Sequence, residues 1–266
     1  MREEKVFVQD DESLDLLFGG GLKVIQKKKG YRFSLDALLL AHFASFHHHH
    51  ADSIIELGTG SGVIPLILSR SFREARMVGV EIQDSLADLA QRNVIMNERS
   101  DRITIVKGDL RMLRGLYPAS SFDLVLSNPP FYPVRAGRIN PHSERAMARH
   151  EMAGTLSDLV KTAFHLLKHR GRFVVIYPAF RLIDLTSELR KNGLEPKLMR
   201  TVHSRSDSEA KMVLLSSSRG GRSALKVLAP FVVYQEGGIY TEELQGIYEW
   251  VGSSLPEVAD PLLLTD

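Results

Sequence analysis

The sequence predicts a doubly wound α/β fold: a seven-stranded, mostly parallel sheet with one antiparallel strand, helices covering both faces. Three observations carry this. From Ser53 onward, short apolar runs alternate with longer stretches whose apolar residues recur at helical spacing. The runs are apolar along their length, as strands buried on both faces must be. The last two runs are joined only by Ser204 to Glu209, too short for a helical crossover, so that pair is antiparallel.

Each element has its own reason. Ser53 to Leu57 is the first core strand and opens into glycines; Val63 to Ser69 follows as a helix. Met77 to Ile82 is the second strand. Asp84 to Asn97 reads as a helix with Asp84 as its cap and Leu86, Leu89, Ala90, Val94 and Met96 on one face. Ile103 to Val106 and Phe122 to Leu126 are the third and fourth strands. Thr155 to Leu167 is a helix, Phe173 to Tyr177 the fifth strand, and Leu182 to Lys191 a helix ended by Asn192-Gly193. Leu198 to Val202 and Ala210 to Ser216 complete the sheet.

These elements form a core over 51–220. Residues 1–50 form an extension with a hairpin around Gly19-Gly20-Gly21 and a helix from Ser34 to Phe46. Residues 221–266 form a tail with a strand-like run, Lys226 to Tyr234, and a short helix near Thr241 to Trp250. Trp250 and the tail aromatics read as packing anchors.

Composition narrows the function classes. The 266 residues are 44% apolar and 25% charged, which supports a real core and excludes wholesale disorder. The chain has no cysteine, so a disulfide framework, a thiolate zinc site and a cysteine nucleophile are excluded. Formal net charge is +2, from 34 basic and 32 acidic residues, so only the placement of charge can speak to nucleic acid. No apolar run approaches the ~18 residues of a bilayer span. The start, MREEKVFVQDDESLD, lacks the apolar stretch of a signal peptide, so a cytoplasmic location is expected. His47 to His50 cannot all point at one ion in regular structure. The run reads as a solvated loop, and no metal is expected.

The first chemical signal is Glu56-Leu57-Gly58-Thr59-Gly60-Ser61-Gly62, directly after the first core strand. Glycines at a strand-to-helix turn let backbone approach a ligand and aim amide N–H groups at it. The spacing is G-x-G-x-G, whereas dinucleotide binders show G-x-G-x-x-G. Three acids accompany it. Glu56 precedes the first glycine, Glu81 ends the second strand where a carboxylate can accept both hydroxyls of a ribose, and Asp109 follows the third, where it can accept from an adenine amino group. Three carboxylates repel a pyrophosphate but suit a nucleoside whose other end is cationic. Glu81 is open to a second reading as a solvated strand-end acid, and Asp109 to one as a helix cap.

The second signal is Ser127-Asn128-Pro129-Pro130-Phe131 after the fourth strand. Two prolines fix two φ angles and remove two donors, so the loop is stiff and presents carbonyls. The Asn128 oxygen and the Pro129 carbonyl can each accept one hydrogen of a planar amino group. Such a nitrogen has a delocalised lone pair. Two acceptors favour its change toward tetrahedral geometry and stabilise the charge that develops on it. Phe131 can stack on a flat substrate.

The glycine loop with its acids resembles the motifs of the class I S-adenosylmethionine (SAM) dependent methyltransferases, whose fold has the same seven strands with an antiparallel last one. Asn128 to Phe131 resembles the motif of methyltransferases acting on exocyclic or amide nitrogens. Over nearly its whole length the chain is similar to the bacterial tRNA adenine-N6 methyltransferases that act beside the anticodon of a valine tRNA. The matching pieces are Arg32-Phe33-Ser34-Leu35-Asp36-Ala37-Leu38-Leu39-Leu40-Ala41, Asn128 to Phe131, and Ala148-Arg149-His150-Glu151.

The resemblance implies transfer of a methyl group from SAM to an exocyclic amino group of RNA, adenine N6 in tRNA. It implies catalytic roles for Asn128, Pro129, Pro130 and Phe131. It implies cofactor contacts from Glu56, Gly58, Thr59, Gly60 and Gly62 in the loop, from Glu81 and Ile82 after the second strand, from Asp109 and Leu110 after the third, and from Asn128. In that family the first piece lies over the cofactor, which puts Asp36 toward the methionine end and Phe33 beside cofactor or base. Asp36 also reads as a first-turn acid favoured by the helix dipole. Arg135, Arg138, Arg145 and Arg149 beside the Asn-Pro-Pro loop, with Lys27, Lys28 and Lys29, suit phosphate contacts, or a solvated surface. Two alternatives share the motif: glutamine methylation of a release factor, by enzymes with a larger helical N-terminal domain, and guanine-N2 methylation of ribosomal RNA, by enzymes that often carry a duplicated domain.

Overall fold

The computed structural model describes residues 8–29, 32–130 and 154–251. Strands β1 (Glu12–Leu17) and β2 (Leu22–Lys27) form the N-terminal hairpin, and helix α1 (Leu35–His47) follows. The core runs β3 (Ser53–Leu57), α2 (Val63–Ser71), β4 (Arg76–Glu81), α3 (Asp84–Met96), β5 (Ile103–Lys107), the short α4 (Leu113–Leu116) and β6 (Phe122–Ser127). Then come α5 (Leu156–Leu166), β7 (Leu167–Pro178), α6 (Leu182–Lys191), β8 (Leu194–His203) and β9 (Ala210–Arg219). The tail supplies β10 (Lys226–Val227), β11 (Phe231–Val232) and α7 (Glu242–Val251).

The main sheet has the order β10-β8-β9-β7-β6-β3-β4-β5, with β11 also on β8. Neighbours from β7 through β6, β3 and β4 to β5 are parallel, while β9 is antiparallel to both β7 and β8. The expected late hairpin with a single reversed strand is therefore present. The chain order reverses between β3 and β6, which opens a crevice at their carboxyl ends, where such sheets bind ligands.

Several local readings are corrected. The sheet has nine strands among the described residues because the tail adds two. The run from Lys226 to Tyr234 splits into β10 and β11, with Pro230, which cannot donate to a ladder, between them. Strand β7 starts six residues before Phe173, across a register shift between Phe122 and Leu124. Gln83, not Asp84, occupies the cap of α3; Asp84 instead pairs with Lys107 Nζ at 2.7 Å. The histidine run is a solvated loop only at His49 and His50, which are exposed. His47 ends α1 edge-on to the Phe43 and Phe46 rings, and His48 meets Ser216 Oγ at 3.1 Å, with burial lowering its pKa to about 4. Thr155 caps α5 through a reciprocal box with Asp158.

Two apolar layers flank the sheet. Helices α1, α2 and α7 pack on one face and α5 and α6 on the other. Trp250 anchors the tail as expected, its ring edge-on to Phe18 and His42. No helix among the described residues is long and apolar enough to cross a membrane.

Candidate active site

The site is built at the carboxyl ends of β3, β4 and β6. Gly58 (φ +81°), Gly60 (φ +56°) and Gly62 (φ +78°) turn the chain sharply out of β3. A Cβ on Gly58 would meet nothing within 4 Å, so this glycine faces open space. A Cβ on Gly62 would lie 3.1 Å from the Cβ of Ala90, so here the absent side chain lets α3 approach the loop.

Four amides of the loop are engaged within the protein. Gly58 N and Thr59 N both donate to Val80 O (2.9 and 2.8 Å), Gly62 N donates to Thr59 O (2.9 Å), and Gly60 N donates to Glu81 Oε2 (2.9 Å). These donors are all taken by the protein itself.

The acids are held in different ways. Glu81 is buried, with Gln83 N donating to Oε1 at 2.9 Å, so backbone fixes both oxygens. Each keeps further acceptor capacity for a diol. Glu56 is buried and accepts Thr59 Oγ1 at 2.5 Å. Burial pushes its pKa up to about 8, and the nearby Glu81 charge adds to this. Asp36 Oδ2 accepts from the Ser34 hydroxyl at 3.3 Å, while Oδ1 is buried with no hydrogen-bond partner. Burial raises the Asp36 pKa to about 6. The hydroxyl of Ser61, within the loop, is likewise buried and unpartnered. Buried unpaired oxygens call for a donor. An ammonium-bearing nucleoside such as SAM supplies one, so the donor set suits it.

Asp109 caps the short turn Leu110–Met112. Its carboxylate accepts from Arg111 N at 2.8 Å and pairs with the Arg111 guanidinium, which lowers its pKa. Ile82 and Leu110 are half-buried beside Glu81 and Asp109. Phe33 is half-buried, its N–H donating to Gln26 Oε1 at 2.8 Å.

Asn128 directly follows β6. Ser127 Oγ donates to Leu57 O at 2.7 Å and ties the end of β6 to the end of β3, so the Asn128-Pro129-Pro130 turn stands one strand from Gly58. Asn128 and Pro129 are half-buried and Pro130 is exposed. The Asn128 side chain makes no hydrogen bond with a described residue. Phe131, Arg135, Arg138, Arg145 and Arg149 lie outside the described residues, as does Ala148 to Glu151.

Lys27 and Lys28 are engaged inside the hairpin. Lys27 Nζ lies 3.0 Å from both Asp11 and Glu12 carboxylates, and Lys28 Nζ donates to Asp10 O at 2.9 Å. Lys29 is exposed. The sequence reading missed Asn93, the residue that joins this hairpin to the site. Its buried amide donates to Ile25 O (3.0 Å) and Ser61 O (2.9 Å) and accepts from Ile25 N (2.6 Å). The available signal was an asparagine at an otherwise apolar helix position.

Comparisons with known proteins agree with this fold. A solved predicted O-methyltransferase from Agrobacterium tumefaciens superposes with a TM-score of 0.64 at 20% identity, covering 84% of this chain and 99% of that one. A putative class I SAM-dependent methyltransferase from Listeria monocytogenes gives 0.52 at 14% identity, over 84% of this chain and 74% of that one. A curated relative from Porphyromonas gingivalis, named tRNA1(Val) (adenine(37)-N6)-methyltransferase, is 34% identical over 195 residues, 71% of this chain and 75% of the relative. Fold and relatives together thus define a class I SAM-dependent methyltransferase. More narrowly, residues 34–189 match the methyltransferase small domain, and the chain belongs to that family.

Proposed function

We propose that this enzyme methylates the N6 amino group of an adenine in tRNA, the base its relatives' name puts at position 37 of tRNA1(Val). The Asn128-Pro129-Pro130 turn carries this reading: two adjacent acceptors, the Asn128 amide oxygen and the Pro129 carbonyl, held by Ser127 beside the glycine loop. When bound, SAM supplies a methyl group on a cationic sulfur. Glu81 takes the ribose hydroxyls, and Asp36 receives the methionine ammonium on its unpaired Oδ1. Glu56 holds the loop through Thr59.

The adenine amino group donates one hydrogen to Asn128 Oδ1 and the other to the Pro129 carbonyl. These contacts would draw the lone pair out of the ring and stabilise the positive charge that develops on nitrogen as its bond to the methyl carbon forms and the carbon–sulfur bond breaks, with the sulfur leaving as a neutral thioether. Holding the two reactants in line supplies much of the remaining rate. No strong base is needed, because the methylated nitrogen readily loses its proton to water. Phe131 stacks on the base. Arg135, Arg138, Arg145, Arg149 and Lys29 take phosphates, and the reaction runs in the cytoplasm on the 51–220 core.

Labelled methyl transfer from SAM to an unmodified tRNA pool, followed by nucleoside analysis, tests this. N6-methyladenosine is the expected product. N2-methylguanosine, or label on a release factor with none on RNA, would contradict it.

A further inference from the structure

We propose that Phe180 is the stacking platform for the nucleotide next to the methylated adenine. The inference rests on the tRNA reading above. Strand β7 lies beside β6, with Ser127 paired to Val175. It continues for three residues past that pair, to Pro178, and turns through Ala179–Arg181 into α6. The turn therefore borders Asn128-Pro129-Pro130 on the side away from the glycine loop.

Phe180 is 77% exposed and Ile183, one turn on, is 75% exposed. No other large apolar side chain among the described residues is as exposed as either. Both sit on the carboxyl edge of the sheet, which the RNA must cover if Asn128 is to reach a base. Charge does not explain them. Arg205 and Lys211 are exposed near the same edge, but Asp207 and Glu209 accompany them, and Arg181 is engaged by Asp184 at 3.2 Å with its guanidinium 5.4 Å from the Tyr177 ring centroid. Among the described residues the edge offers an aromatic face in a neutral surround.

Chemistry identifies what that face takes. A base drawn out of its stack to reach Asn128 leaves its neighbour with one bare π-face. An exposed ring beside the catalytic turn restores the lost stacking, in a way that tolerates any base. Ile183, three residues along, covers the edge of the same nucleotide.

Three variants test this on the full chain with an unmodified tRNA transcript: Phe180→Ala, Phe180→Leu and Phe180→Tyr. Loss of one stacked base predicts that KM for tRNA rises about tenfold in the Ala and Leu variants. The Tyr variant keeps the wild-type KM, and all three keep kcat and SAM affinity. A 2-aminopurine placed beside the target adenine should be quenched by wild type and the Tyr variant but not by Phe180→Ala. A Leu variant with wild-type KM overturns the platform, since it would show that any apolar contact suffices, as with a protein partner. A wild-type enzyme that methylates no RNA removes the substrate reading and the platform with it. An active wild type with unaltered Phe180→Ala removes the platform alone.

Discussion

Glu81 restrains the glycine loop through the amide of Gly60, which donates to Oε2 at 2.9 Å while Gln83 N donates to Oε1 at the same distance. One carboxylate thus shapes the loop and presents its remaining lone pairs to the crevice. Hydrogen bonds to charged groups contribute about 1.5–3 kcal/mol. Glu81→Ala should therefore weaken SAM binding by about tenfold or more and lower stability, because Gly60 N–H loses its acceptor. Calorimetric titration with SAM and thermal unfolding of the same sample check both. Unchanged affinity would remove Glu81 from the cofactor site.

Asp36 predicts a pH dependence. Burial raises its pKa from 3.8 to about 6, so the free protein holds the proton between those values, and it is lost as pH rises through 6. An ammonium partner needs the ionised form. SAM affinity should then rise about tenfold per pH unit below 6 and level off above it, with proton release on binding at pH 5. Asp36→Asn should flatten the profile. Titrations at pH 5 and pH 7 in two buffers of different ionisation heat measure both effects.

The hairpin is clamped by the Glu12–Arg92 pair, with contacts of 2.7 and 2.8 Å to a carboxylate whose side chain is fully buried. Removing Arg92 leaves Glu12 with Lys27 and the Gln9 amide, so Arg92→Ala should cost the charged hydrogen bonds it makes, about 2 kcal/mol in urea unfolding. The Arg92 guanidinium depresses the Glu12 pKa to about 2. The pair's contribution is therefore present above the unfolded value of 4.5 and is lost as pH falls toward 2. In Arg92→Ala the acid-induced loss of stability over that range should shrink.

The parallel core was legible because each strand is an isolated apolar run and every crossover except the one from β5 to β6 has helical spacing. The bounds of β3 and α6 are those the pattern gives. In the tail the helix near Thr241 to Trp250 was legible, but the split of the strand run was not, because β10 and β11 are two residues each and owe their pairing to β8 rather than to their own pattern. In the site, the glycines and acids were visible by type and spacing. Their hydrogen bonding was not, since whether Gly60 N–H meets a ligand or Glu81 depends on backbone φ values that composition leaves open. Asp109 shows the same limit: Arg111 two residues on captures the carboxylate. Asn93 was hidden because its partners, Ile25 and Ser61, are 68 and 32 residues away.

The claim that a pair of acceptors in the Asn128-Pro129 turn drives the reaction is tested most directly by single-turnover methyl transfer in Asn128→Ala, with SAM affinity measured on the same preparation. Loss of one preorganised transition-state contact predicts a rate lower by about 100-fold or more, with SAM binding within twofold of wild type. A variant that binds SAM normally and still methylates adenine near the wild-type rate would contradict the account.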